Sequence, residues 1–169
     1  MTGAAEMVVI GLGNVVMSDD GLGVHAVHRL RRHYTFGDGI ELVEGGTGGL
    51  LLLPYLADAR RVIIVDAIDL GTAAGTLVRL DGEDWASAFG VRMTPHDVGL
   101  ADLLGAAQLS EAWPEKLVLH GAQPACTEIG TELSAPLVAA LDPLVDAVAA
   151  ELTQWGAPIA PTAQSAACA

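Results

Sequence analysis

Four side chains stand where short apolar runs give way to polar loops: Asp20, Glu44, Asp66 and His96. Glu44 follows the run 40–43 and Asp66 the run 62–65. Asp20 comes soon after the run 7–10, by way of Gly11-Leu12-Gly13-Asn14, and His96 precedes the segment 97–108. Carboxylates beside an imidazole can share a divalent ion with open coordination positions, or divide acid and base work between them. No Gly-x-Ser-x-Gly is present, and no hydroxyl or thiol sits in an obvious activating motif, so a covalent nucleophile has no signature here.

Each of the four also has a plainer reading. Asp19 and Asp20 suit the start of a helix, where unpaired N–H groups favour negative charge. Asp66 can cap a turn with Asp69, and His96 can serve a backbone group ahead of a helix. The three positions 20, 66 and 96 lie too far apart for a local metal signature such as His-Glu-x-x-His, so spacing alone assigns no metal site. His25 and His28, three apart on one helical face, read as a solvated face, and Cys126 as an unpaired loop thiol.

The elements that must position these residues alternate, β-branched run then helical period, the pattern of a parallel sheet with crossover helices. Strands are expected at 7–10, 40–43, 62–65, 76–80 and 117–119. Helices are expected from about residue 20 to the arginines 29, 31 and 32, over 50–56, over 97–108 and from about 136 to 155 with a bend at Pro143. The run 62–65, apolar at every position, suits a central strand covered on both faces. Ligands in such open sheets bind beyond the carboxyl ends of the strands, where the four side chains fall. The expected architecture is a single-domain α/β, doubly wound, mostly parallel sheet with helices on both faces (phosphorylase/hydrolase-like), spanning 1–155, with 156–169 a disordered tail rich in Ala, Pro, Ser and Thr.

Composition narrows the partners. In 169 residues there are 21 acidic and 8 basic side chains, a net charge of −13, which repels phosphate backbones and anionic lipid at long range. Mean hydropathy is +0.44, yet the apolar stretches 50–57 and 62–65 are far shorter than the roughly 18 to 20 residues that span a bilayer. Neither nucleic acid nor membrane is an expected partner. The two cysteines, Cys126 and Cys168, form no framework or Cys-x-x-Cys pair, and residues 1–6 carry no basic leader, so a cytoplasmic location is expected. Gly11-Leu12-Gly13 is an incomplete dinucleotide fingerprint, since Val16 stands at the third glycine position, and a P-loop is excluded because Lys116 is the only lysine.

Several separated motifs together resemble the [NiFe]-hydrogenase maturation endopeptidases. They are Gly11-Leu12-Gly13-Asn14 with Ser18-Asp19-Asp20-Gly21-Leu22-Gly23-Val24, then Glu44-Gly45-Gly46-Thr47-Gly48-Gly49-Leu50 and Ile63-Ile64-Val65-Asp66-Ala67. Pro95-His96-Asp97-Val98-Gly99-Leu100-Ala101-Asp102 and Gly121-Ala122-Gln123-Pro124 complete the series, in the family's order, over about residues 7–152. Peptidyl-tRNA hydrolases also carry Gly-Leu-Gly-Asn after a first strand, but Val15-Val16 replaces the Pro-Gly expected there and the charge is wrong for tRNA.

The resemblance implies an enzyme, an aspartic-type or metal-gated endopeptidase that removes the C-terminal extension of a hydrogenase large-subunit precursor after nickel insertion. It implies nickel recognition by Asp20, Asp66 and His96, with the nickel supplied by the precursor and no permanently bound cofactor. Glu44 would support substrate positioning or cleavage. Asp20 departs from the glutamate form of the family's first acid and Glu44 from its aspartate. A monomer is expected, and a non-catalytic, metal-dependent chaperone of the same precursor is the competing function.

Overall fold

A computed structural model describes residues 5–84 and 95–163, the side chains of 95–98 excepted. Five strands form the main sheet: β1 (Met7–Leu12), β3 (Ile40–Gly46), β4 (Arg61–Ala67), β5 (Leu77–Asp81) and β6 (Lys116–Ala122). Their order is β3-β1-β4-β6-β5, parallel except for β5, which runs antiparallel to β6 at one edge. The helices are α1 (Leu22–His33), α2 (Leu53–Asp58), α3 (Pro95–Leu109) and α4 (Ala135–Gln154). The expected doubly wound, mostly parallel α/β sheet is therefore the observed one.

Period-two alternation divides the core between the two faces of the sheet. Met7 and Val9 of β1, with Ile63, Val65 and Ala67 of β4, pack against Leu22, Ala26 and Leu30 of α1 and the buried stripe of α4. Val8, Ile10 and Leu12, with Val62 and Ile64, pack against Leu56 of α2 and Leu100, Leu103, Leu104 and Ala107 of α3. Arg31, Arg32 and His33 occupy the last turn of α1, where positive charge opposes the helix dipole.

From β1 the chain passes through α1 to β3 on one side, then returns to β4 on the other. The order thus reverses between β1 and β4: from β1 the chain leaves through α1 toward β3 at one edge, and from β4 it leaves toward β5 at the other, which opens a crevice at their carboxyl ends. Gly23 allows α1 to settle there: a Cβ on it would lie 2.1 Å from the Val65 carbonyl oxygen and 2.4 Å from that of Leu12.

Three elements differ from the sequence expectation. Residues 50–56 open as a 3-10 turn (Gly49–Leu52) before α2, and His96 lies in the first turn of α3 instead of ahead of it. Beyond Gly156 the expected disordered tail gives way, at Ile159–Pro161, to strand β7, which pairs antiparallel with β2 (Tyr34–Phe36). Ala157 and Ile159 pack on the α1/α4 core, and that burial supplies what a polar tail lacks. Residues 164–169, with Cys168, lie outside the described residues.

Candidate functional site

At the carboxyl ends of β1 and β3 lies a cavity of about 410 Å³. Leu12, Asn14, Met17 and Asp20 wall it from the first loop, Gly46, Thr47 and Gly49 from the second, Gly99, Leu100 and Leu103 from α3, and Thr127 from the loop after β6. Its lining is mostly apolar, and Asp20 is the carboxylate in it. Asp20 is nearly buried, and its Oδ2 accepts the Asn14 N–H at 2.9 Å, which closes the loop between β1 and α1. Gly13 makes this turn at φ +115°, where a Cβ would strike the Asp20 carbonyl oxygen at 1.6 Å.

Asp66 is 1% exposed at the end of β4, with its Oδ1 accepting the Ala67 N–H at 2.8 Å. Strand alternation gives it the side of Val62 and Ile64, toward α3, the side that Leu12 shares on the neighbouring strand. Asp20 thus lines the cavity itself, while Asp66 lies near the carboxyl end of β4 on the α3 side of the sheet and is not among the cavity's lining residues. His96 belongs to the first turn of α3, three, four and seven residues before Gly99, Leu100 and Leu103, which line the cavity. Its side chain lies outside the described residues, and among those described no three His, Cys, Asp or Glu groups form a metal set.

Glu44 is placed elsewhere. It pairs with Gly11 one residue after Val43, and so faces α1, where its carboxylate meets His28 at 3.0 Å and also binds Arg31. The hydrogen bonds from His28 and Arg31 hold its pKa below the usual carboxylate value. Arg31 also donates to the Leu42 carbonyl at 2.8 Å, tying α1 to the strand at the sheet's edge. Gly46 and Thr47, not Glu44, carry this loop into the cavity wall. His28 is thereby committed to Glu44, while burial lowers the His25 pKa and its Nε2 has no hydrogen-bond partner among the described residues.

Asp19 does not cap α1 either; Gly21 holds the N-cap position and no side chain closes it. The Asp19 carboxylate is fully buried and accepts four hydrogen bonds from across the molecule: Ala125 N–H at 2.8 Å, Cys126 N–H at 2.9 Å, Ser134 N–H at 2.7 Å and Ser134 Oγ at 2.8 Å. Burial pushes its pKa upward, but the combined donors overcome that and leave it lowered. Sequence reading missed this because its partners lie more than 100 residues away, and an Asp-Asp pair before a helix invites a local explanation. Gln123 is a second concealed clamp. Its Oε1 accepts the Leu70 and Thr72 N–H groups at 2.8 and 3.2 Å, and its Nε2 donates to Asp69 at 2.9 Å, fixing the loop that follows Asp66.

Arranged this way, the crevice presents one carboxylate in an apolar cavity and a second on the adjoining strand, with the first turn of α3 at the same edge. Low polarity strengthens any charge interaction made there, and two fixed carboxylates suit a divalent ion.

Comparisons with known proteins bear on the family and the fold. The family model for hydrogenase maturation proteases matches residues 24–151. The hydrogenase 2 maturation protease of Escherichia coli is 34% identical over 152 residues, covering 89% of this chain and 93% of its own. A hydrogenase expression/formation protein of Azotobacter chroococcum is 36% identical, covering 92% of this chain and 76% of its own. Among solved structures, the hydrogenase maturating endopeptidase HybD from E. coli superposes with a TM-score of 0.87 at 34% identity, covering 94% of this chain and 99% of that one. A Thermococcus kodakarensis [NiFe] hydrogenase maturation protease superposes at 0.71 with 25% identity, covering 86% and 97%. With family model, fold and near full-length similarity in accord, the chain belongs to the hydrogenase maturation protease family.

Proposed function

We propose that this protein is an endopeptidase that removes the C-terminal extension of a [NiFe]-hydrogenase large-subunit precursor, and that it recognises nickel already inserted in that substrate. The observation that carries the reading is Asp20 lining a mostly apolar cavity at the crevice where Asp66 ends the adjoining strand. Asp20, Asp66 and His96 would be the residues that meet the metal. Two carboxylates and an imidazole suit a divalent nickel ion and leave coordination positions to the precursor's own ligands. Position 96 has the spacing of the α3 face that includes Gly99, Leu100 and Leu103, which supports its assignment to this set.

On this reading the metal arrives and leaves with the substrate, so the isolated protein holds no permanent cofactor. The cavity admits far more than an ion, and its apolar wall would exclude water around the bound peptide segment. Hydrolysis then consumes one water molecule admitted to the cleavage site: its hydroxide adds to the scissile carbonyl carbon and its proton goes to the departing amine as the C–N bond breaks. Glu44, bound to α1 through His28 and Arg31, would act on cleavage from outside the cavity, through the 45–49 loop that it precedes. The protein would work as a monomer, in the cytoplasm; among the described residues no helix is long and apolar enough to cross a membrane.

Intact mass spectrometry of nickel-loaded and nickel-free precursor, incubated with the protein and with Asp20→Ala, Asp66→Ala and His96→Ala, tests the reading. Loss of a C-terminal peptide is expected only from loaded precursor and only with the unsubstituted enzyme. Metal-dependent binding with no change of mass would identify a chaperone instead.

A further inference from the structure

We infer that Asp19 is a positioning residue for this site: its carboxylate anchors the segment 125–134 to the Ser18–Gly21 turn, and thereby sets Thr127 and Asp20 together in the cavity wall. The inference rests on the endopeptidase reading above.

The anchor is complete in itself. Three of the four donors meet Oδ2 and one meets Oδ1, and the residue is fully buried, so Asp19 is held by the protein itself and is closed to a metal or a substrate arriving from solvent. Its own N–H donates back to the Cys126 carbonyl at 3.1 Å. Around it the same two segments exchange further bonds: Ser18 N–H to Gly130 O at 2.7 Å, Ser18 Oγ to Glu128 O at 2.9 Å, and Gly130 N–H to Val16 O at 3.1 Å. Ser18 holds a φ of 50°, unusual for a residue with a side chain, and a Cβ on Gly130 would come within 2.5 Å of its Oγ. A strained turn of this kind persists only where its surroundings over-determine it.

Hydrogen bonds, not packing, hold this segment. Residues 125–129 are all exposed, and no residue between Gln123 and Leu133 is buried. Up to residue 132 the segment contributes nothing to either core, and only Leu133 packs on the α1/α4 core; its Thr127 nevertheless lines the same cavity as Asp20. Asp20 follows Asp19 directly, in the same turn. Loss of the Asp19 acceptor would free the Thr127 wall and the turn bearing Asp20 together, while the sheet and its helices kept their packing.

Asp19→Asn and Ser134→Ala test this. Asparagine keeps the shape but turns an NH2 group toward N–H donors; alanine removes only the hydroxyl donor. Thermal unfolding of each is followed, and kcat and KM for cleavage of nickel-loaded precursor are measured well below the unfolding range, beside wild type. The expected result for Asp19→Asn is a folded protein with kcat reduced on the order of 10²-fold and KM within about threefold, as misplacement of a reacting constellation by about 1 Å would give. Ser134→Ala is expected to fall between it and wild type in kcat while unfolding near the wild-type temperature; if Asp19→Asn does not fold, this variant decides. Unchanged kcat in the folded variants, or a rise in KM alone, overturns the inference while leaving the endopeptidase reading intact. A wild type that binds the loaded precursor but does not cut it overturns that reading, and the positioning role with it.

Discussion

Glu44 and Asp66 end parallel strands of one sheet but face opposite sides of it. Glu44 lies on the α1 side, bound to His28 and Arg31, and Asp66 lies on the α3 side with Val62 and Ile64. The separation is set by register. Glu44 pairs with Gly11, one step past the Val43–Ile10 pair that points toward α3, and one residue along a strand reverses the side chain's direction.

Glu44→Gln is therefore expected to keep nickel-dependent binding of the precursor and to slow cleavage by no more than about tenfold, since a carboxylate outside the cavity acts only through the loop it precedes. Calorimetric titration with loaded precursor and a kcat measurement check this. Complete loss of cleavage would require Glu44 to leave His28 and Arg31 and turn into the site. Its exposed ion pairs contribute little to stability, so the melting temperature should hardly move.

Asp20→Asn separates chemistry from scaffolding. An asparagine oxygen still accepts the Asn14 N–H, so the loop after β1 stays closed and stability should change by less than about 1.5 kcal/mol in urea unfolding. The charge that would meet nickel is gone, and precursor cleavage should fall below detection. Retained cleavage would remove Asp20 from the metal-recognising set.

Gly23→Ala attacks the crevice through its packing. The new methyl would overlap the carbonyl oxygens of Val65 and Leu12, both backbone atoms that cannot rotate away. The start of α1 must then lift from β1 and β4, at a cost of roughly 3 kcal/mol or more. Denaturant unfolding should show that loss, and activity should fall with it because Asp20 sits just ahead of the displaced helix.

Much of this was legible in the residues. The runs 7–10, 62–65 and 117–119 were legible as strands because each is continuously apolar, and 40–43 because apolar residues flank the single Glu41; their polar ends marked the edge of the sheet that carries the cavity. Asp66 could be read as a candidate for the same reason. Glu44 looked equivalent, since nothing local tells a reader which face an edge-strand carboxylate takes; the parity came from pairing with β1, and the partners from α1. Asp19 was hidden by contacts more than 100 residues distant, and β2 and β7 by their three-residue length, too short for any periodicity to register.

His120, Glu151 and Arg79 give the fold its expected response to acid. His120 is buried in β6 with Nε2 3.3 Å from Glu151, whose carboxylate receives Arg79 Nε at 2.8 Å and Nη2 at 3.1 Å. Arg79 also reaches Asp81 at 3.2 Å. Burial lowers the His120 pKa despite Glu151, so the imidazole is neutral in the folded protein at pH values where the unfolded chain, near its ordinary 6.5, binds a proton. Its contribution is whole above pH 6.5 and declines as the pH falls through that value toward the folded pKa. Hydrogen bonding from Arg79 holds Glu151 below its ordinary 4.5, so its contribution is whole above 4.5 and is lost below it. Both terms have the same sign, and unfolding free energy should fall with acid in two stages. His120→Asn is expected to reduce the first stage, leaving the share of His25, whose pKa burial also lowers. Glu151→Gln should reduce the second, to which Asp19 and Glu44 also contribute, and lower stability by about 1–2 kcal/mol at pH 7, a charged hydrogen bond discounted because Arg79 is half exposed. Urea unfolding at intervals from pH 8 to pH 3.5 reads both, and a wild-type curve without a decline between pH 6.5 and 5 would show that His120 does not stay neutral in the fold.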